Sequence, residues 1–312
     1  MIRVLRYSKG KTKEVSNFDT KDAAFYWIYC FDATLKDLHK VSEKTKVDIY
    51  DIKHVLDHQE HPRIENKKTY SLVIFRGLLH STHSKKITSP IEFILGKNFM
   101  ITLTSEHHDT ISNIFENSDL NYVKEVFNLG FVVLLSRILI ALVREYNAYL
   151  LGVDEEINTL EDAATDAKQK DLHKLFLIKR RIFHLRRYLE ADKDVLLSLD
   201  EGTVQYIRPY ELFHDLMTEM DQIISGGEMM KDRTTGITEI YFIAVSNRLN
   251  EIMKGFTAIA SILLVPALVS SIYGMNIALP LDKHPYAFLI VMVIIIILMA
   301  IFFIYFKRKK WL

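Results

Sequence analysis

Cysteine is almost missing from this 312-residue chain: Cys30 is the only one. An internal disulfide is thereby excluded, which agrees with a reducing compartment for the part that holds it. Net charge is nearly missing as well, at +1, with Lys and Arg interleaved among Asp and Glu. No basic patch is left to recruit nucleic acid, and none is expected as a partner. The opening Met1-Ile2-Arg3-Val4-Leu5-Arg6 lacks an apolar core of signal-peptide length, so the N-terminal region is expected to stay where it is made. There is no glycine-rich phosphate cradle, nucleophile elbow or paired catalytic carboxylate motif, and an enzyme is not expected.

Charge itself disappears from one stretch. Up to about Lys254 the sequence reads as a soluble, charged protein, whereas Gly255 to Phe306 is almost uncharged. A bilayer-spanning helix needs roughly 20 apolar residues. Residues 256–273 and 286–306 supply two such runs, joined by a short loop at 274–285. A buried core helix is the alternative. Ile290 to Leu298, however, is apolar all the way round and leaves no face for water. Basic residues set the orientation. Arg248 and Lys254 precede the first run and Lys307-Arg308-Lys309-Lys310 follows the second, while the loop holds Lys283 beside Asp282. Both termini are therefore expected to be cytoplasmic and the loop external, with Tyr305 and Trp311 at the inner interface.

The rest of the chain divides by texture. Residues 1–117 mix short strands and turns and read as an α/β domain. Thr69–Arg76, Pro90–Leu95 and Phe99–Thr104 are expected strands, the last two joined by a turn at Gly96-Lys97-Asn98. Asp32–His39 and Val47–Asp57 have helical spacing, the first with Asp32 as its cap. Residues 118–200 are helical: Leu120–Leu150 forms one helix, Gly152 breaks it, and a second begins at Asp154, its apolar stripe continuing from Leu172 to Leu185. After a break at Gly202–Pro209, a third helix within 201–273 starts near Tyr210 and runs without interruption into the first span. Ser225-Gly226-Gly227 marks an expected bend or a very close packing contact, since each Gly costs about 1 kcal/mol relative to Ala. Residues 307–312 form a basic tail.

Within this frame lie Ser246-Asn247-Arg248-Leu249-Asn250-Glu251-Ile252-Met253-Lys254, then Thr257-Ala258-Ile259-Ala260, and Tyr273-Gly274-Met275-Asn276 at the end of the first span. The pattern resembles the CorA family of divalent-cation channels. The tail Tyr305–Leu312 resembles the family's basic-Trp-Leu terminus, and weaker echoes lie in His61–Glu65 and Leu95–Thr102. The resemblance implies an α+β membrane protein that assembles as a homopentamer. It has an N-terminal cytoplasmic α/β domain, a long helical stalk and two C-terminal transmembrane helices, the first lining a pore. It also implies transport of Mg2+, in many members also Co2+ or Ni2+, across the cell membrane. Gly274, Met275 and Asn276 would form the entry filter, and Mg2+ bound between cytoplasmic domains would hold the pore shut.

Chemistry is compatible with that assignment. Mg2+ surrenders its octahedral water shell reluctantly, and a ring of Asn276 amide oxygens suits a hydrated ion better than a carboxylate cage. Asn276 as a plain helix cap is the alternative. Steps of three and four back from Gly274 give Ser271, Ala267, Leu264, Ala260, Thr257, Met253 and Asn250, a line that would serve as a pore wall with Met253, Leu264 and Phe256 as constrictions. The same stripe would also serve helix packing. Two departures stand out. Ala267 occupies a position where the family often has Thr, with Ser270 or Ser271 as substitutes. The loop also lacks the family's Met-Pro-Glu-Leu motif and retains only Asp282 as an acid.

For regulation, aligning on Asn276 places Asp215 on the first Asp of a family stalk motif, while Thr218 replaces the second; Glu239 falls where another stalk acid lies. A solvated helix face is the alternative for each. His54, His58 and His61 share a helical spacing that suits a transition metal, but Pro62 follows and no acid or Cys completes the set. His107-His108-Asp109 reads as a loop. Two other functions remain open: a Zn2+ transporter of the ZntB type, against which Met275 argues, and a membrane-anchored cation sensor that conducts nothing, against which Asn276 argues.

Overall fold

Alternating and β-branched segments in the first hundred residues fold into one mixed sheet. The computed structural model describes residues 1–20, 24–57, 59–79, 87–117, 130–166, 169–207, 210–277, 279–280 and 284–312. Among these, seven strands occur: β1 (Ile2–Ser8), β2 (Lys11–Glu14), β3 (Phe25–Phe31), β4 (Arg63–Asn66), β5 (Tyr70–Leu78), β6 (Thr88–Gly96) and β7 (Phe99–Thr104). Their order is β2-β1-β3-β7-β6-β5-β4. Every neighbouring pair is antiparallel except β3 with β7, which run parallel. Strands β5, β6 and β7 are buried along their whole length, because both sheet faces are covered.

One face packs Val4, Ile28, Leu72, Ile74, Ile94 and Ile101 against helix α1 (Leu35–Thr45) and the short α2 (Ile49–Ile52), which contribute Leu38, Val41 and Ile52. Cys30 lies in this core, and burial pushes its thiol up to about 12, so it stays protonated. On the other face, Trp27 packs 4.9 Å from Phe115 of α3 (Asp109–Glu116), and its indole N–H donates to Thr102 Oγ1 at 2.9 Å.

Asp32 does not cap α1. Its φ is 41°, and its amide donates to the Thr104 carbonyl at 3.0 Å. Thr34 is the cap, in a reciprocal box with Asp37, because Thr-x-x-Asp satisfies two backbone amides at once. The Val47–Asp57 segment is only α2 followed by a tighter helical turn over Lys53–Leu56. Asp109 does not lie in a loop but begins α3.

The long helices are α4 (Phe131–Ala163), α5 (Gln169–Asp200) and α6 (His214–Tyr273). Residues 120–129 of the first expected helix lie outside the described residues. Gly152 does not break α4, and no helix begins at Asp154. Leu150, Val153, Ile157 and Leu160 continue one buried face through it, and apolar burial outweighs the roughly 1 kcal/mol helix penalty of Gly. Helix α6 likewise runs unbroken through Gly226 and Gly227. Among the described residues a Cβ built on either meets nothing within 4 Å, so they do not show the close packing anticipated there.

The chain divides into two compact units, residues 1–160 with 173–236 and residues 161–172 with 237–312. In the first, Leu216, Met220, Ile223, Gly227, Met230 and Thr234 form a buried seam of alternating three- and four-residue steps on α6. Arg233 donates to Asp154 and Asn158, Arg186 to Glu190 and Glu228, and Lys193 pairs with Asp221 at 2.6 Å, joining the three helices at their surfaces. In the second unit, α6 is followed by α7 (Ala287–Arg308).

Candidate functional site

The second unit carries the apolar part of α6 and all of α7, which among the described residues are the two helices long and apolar enough to cross a membrane. With 22 residues, α7 rises about 33 Å, matching a hydrocarbon core of about 30 Å. Its end is built for a sharp stop. Lys310 has a left-handed φ of 56°, the Trp311 amide donates to Phe306 O at 3.0 Å, and the indole stacks on the Phe306 ring at 5.6 Å. The Trp311 carbonyl lies 3.7 Å from where a Gly255 Cβ would stand. The start of the first apolar run and the end of the second therefore meet at one level, as a hairpin requires.

Burial along the first run is one-sided. Ala258 is fully buried, and Ile262, Val265 and Val269 are half-buried; at about 100° per residue these four fall within about 60° of one another. Met253, Thr257, Ala260, Leu264, Ala267 and Ser271 form a second stripe centred about 150° away, with Asn250 and Phe256 on its flanks. All eight are exposed within the protomer, Leu264 at 66 % and Phe256 at 72 %. The stripe thus lies opposite the side that the protomer buries. It is mostly small or polar, whereas Ile252, Ile259 and Leu263 beside it are bulky. The Thr257 hydroxyl donates back to the Met253 carbonyl at 2.8 Å.

At the end of the stripe the helix closes tightly. The Gly274 amide donates to Ser270 O at 2.9 Å and that of Met275 to Ile272 O at 3.2 Å. A Cβ at Gly274 would approach Ser270 O to 3.2 Å, a crowded contact that glycine avoids. Asn276 follows, exposed; among the described residues its amide has no hydrogen-bond partner. Asp282 and Lys283 lie outside the described residues.

Asp215 belongs to the first unit and Glu239 to the second. Both are exposed. Asp215 opens onto a groove of about 450 Å3 with Asn147, Thr218, Glu219 and Gln222. This is a set of oxygen donors, of the type that binds a hard cation. Glu219 was missed in the sequence; its signal is the four-residue step from Asp215, which puts two acids on one face. Among the described residues, no group of three or more His, Cys, Asp or Glu side chains is placed to hold a metal. The histidine series is also dispersed. His54 lies 4.0 Å from Asp51 and 3.8 Å from Glu60, His61 faces the Tyr188 ring, and His58 lies outside the described residues.

A sheet domain followed by two helices long and apolar enough to cross a membrane has the architecture of an integral membrane protein. The chain belongs to the CorA family: the model for CorA-like Mg2+ transporter proteins matches residues 22–308. It is similar to the cobalt/magnesium transport protein CorA of Methanocaldococcus jannaschii, 26% identical over 319 residues that cover 100% of both chains. It is also similar to the cobalt/magnesium transport protein CorA of Thermotoga maritima, 25% identical over 327 residues covering 100% of this chain and 92% of the other. The complete structure of the CorA magnesium transporter from M. jannaschii matches with a TM-score of 0.86 at 25% identity, over 100% of this chain and 99% of that one.

Proposed function

We propose that this protein is a homopentameric channel that admits Mg2+ to the cytoplasm down the membrane potential. The observation that carries this reading is the position of the exposed stripe from Asn250 to Ser271. It lies opposite the face buried in the protomer and ends at the exposed Asn276 amide, which has no hydrogen-bond partner among the described residues. Around a five-fold axis the stripe becomes a wall and Asn276 a ring of neutral oxygens. Such a ring holds a hydrated Mg2+ through its water shell without binding it too tightly to release. Gly274 and Met275 shape the turn that presents the amide. Met253, Phe256 and Leu264 narrow the pathway with apolar side chains, and Thr257 and Ser271 offer hydroxyls between them. A divalent ion gains about 4.6 kcal/mol per 100 mV on crossing, from about 2.3 per charge.

Arg248, Lys254 and the Lys307–Lys310 cluster support a cytoplasmic location for both termini. Asp215, with Glu219 and the amides beside it, supplies half of an oxygen-rich site that a neighbouring subunit completes, and Glu239 adds a second acid nearer the membrane. Mg2+ bound there favours the closed arrangement, so rising internal Mg2+ shuts the pore. Co2+ and Ni2+ share the pathway. Expression in a strain deficient in Mg2+ uptake tests the reading: growth at low Mg2+ should be restored, with Mg2+ entry exceeding Zn2+ entry. Zn2+ entry without Mg2+ rescue would instead identify a transporter of the ZntB type, and entry of neither ion a non-conducting sensor.

A further inference from the structure

A second cleft in the soluble portion has the opposite electrostatic character. Of about 510 Å3, it lies between α5 and residues of the sheet's β4–β6 side. That volume is in the range of small-molecule sites. Its lining holds three arginines, Arg76, Arg180 and Arg187, and two histidines, His61 and His184, but among the described residues no carboxylate. A cation would be repelled from this surface, so it is unsuited to the Mg2+ the protein handles elsewhere.

Arg180, His184 and Arg187 stand at steps of four and three on α5 and share one helix face. They cover about 10 Å of helix, the length scale of a short polyphosphate. Arg180 and Arg187 are exposed, and among the described residues neither has an ion-pair or hydrogen-bond partner. The other arginines of this helix differ. Arg181 is bound by Glu156, and Arg186 by Glu190 and Glu228. At the cleft floor the Arg76 guanidinium is fixed by Thr88 and the Glu60 carbonyl and lies 4.1 Å over the Tyr188 ring, which His61 also faces. Free guanidinium groups in pairs are well suited to bidentate recognition of phosphate oxygens.

We infer that this cleft binds a small polyphosphate anion, through Arg180 and Arg187 with His184 between them. Inorganic triphosphate and a nucleoside triphosphate share that chemistry; the flat faces of Tyr188 and His61 would add affinity only for the nucleotide base.

Calorimetric titration of the full detergent-solubilised chain, in metal-free buffer so that chelation contributes nothing, tests this with inorganic triphosphate and ATP. Both should bind saturably, and less tightly as salt rises. Equal affinities would assign recognition to the phosphate chain alone, and tighter ATP binding would add the aromatic faces; either supports the cleft. The double variant Arg180→Gln/Arg187→Gln, at exposed positions, should retain the wild-type melting temperature and lose about tenfold or more in affinity. Arg186→Gln, on the same helix with its charge already paired, should bind as wild type. Absence of saturable binding to the wild-type chain, unchanged affinity in the double variant, or an equal loss in Arg186→Gln would each overturn the assignment.

Discussion

Asp192 Oδ1 accepts the main-chain amide of Arg76 at 3.0 Å, fastening the middle of β5 to α5 inside a fully buried pocket. Tyr146 of α4 completes the join, its hydroxyl 2.9 Å from the Arg76 carbonyl and 3.2 Å from Asp192 Oδ2. A phenol has one proton to give. If it donates to the Arg76 carbonyl, the chain closes only when Asp192 Oδ2 carries a proton and donates to the phenol. Burial pushes the Asp192 carboxyl well above the usual carboxylate range, against the opposing pull of the Arg76 amide and charge. A hydrogen bond from the Tyr146 hydroxyl would also favour the charged form, but burial is the larger influence and favours the neutral acid. The geometry accommodates that acid when the phenol donates to the Arg76 carbonyl.

Asp192→Asn should then be nearly silent, since an amide supplies the same acceptor and donor. Asp192→Ala should cost about 1–3 kcal/mol by leaving a buried amide unpaired. Thermal melting of both variants checks the order. In the wild type, the folded state holds a proton that the unfolded chain releases above about pH 4. Stability from this group is full below that value and is lost as pH rises through the raised folded-state pKa. The Asn variant should lack that part of the pH slope.

Gly227 is buried on α6 yet has open space around its missing Cβ. Gly227→Ala should raise stability by about 1 kcal/mol, seen as a higher melting temperature. A lower one would mean that the helix needs glycine here for a bend or for a neighbouring subunit.

Asp215→Ala should raise ion flux at millimolar internal Mg2+ and weaken Mg2+ protection against proteolysis, and Glu219→Ala should do the same to a smaller degree. A carboxylate that merely faces solvent would change neither measurement.

The spans, the hairpin of β6 and β7 and the unbroken course of α6 were legible because their signals are local: sustained apolarity, period-two alternation around Gly96-Lys97-Asn98, and the lack of a breaker before the membrane. Gly152 misled because a local penalty of about 1 kcal/mol is overridden by the buried face from Leu150 to Leu160. The parallel pairing of β3 with β7, and the union of Arg76, Tyr146 and Asp192, join residues far apart in sequence. No periodicity announces contacts of that kind. The stripe and Asn276 could be named from the sequence, but the stripe's exposure opposite Ala258 required the folded helix.

In the proposed function, Asn276 filters ions at the mouth of a conducting pore. Mg2+ flux into proteoliposomes, measured with a Mg2+-sensitive dye for wild-type and Asn276→Ala protein of equal oligomer content, is the direct test. Robust wild-type flux is expected, with nearly all of it lost in the variant. Wild-type flux from an assembled Asn276→Ala oligomer would contradict the filter role.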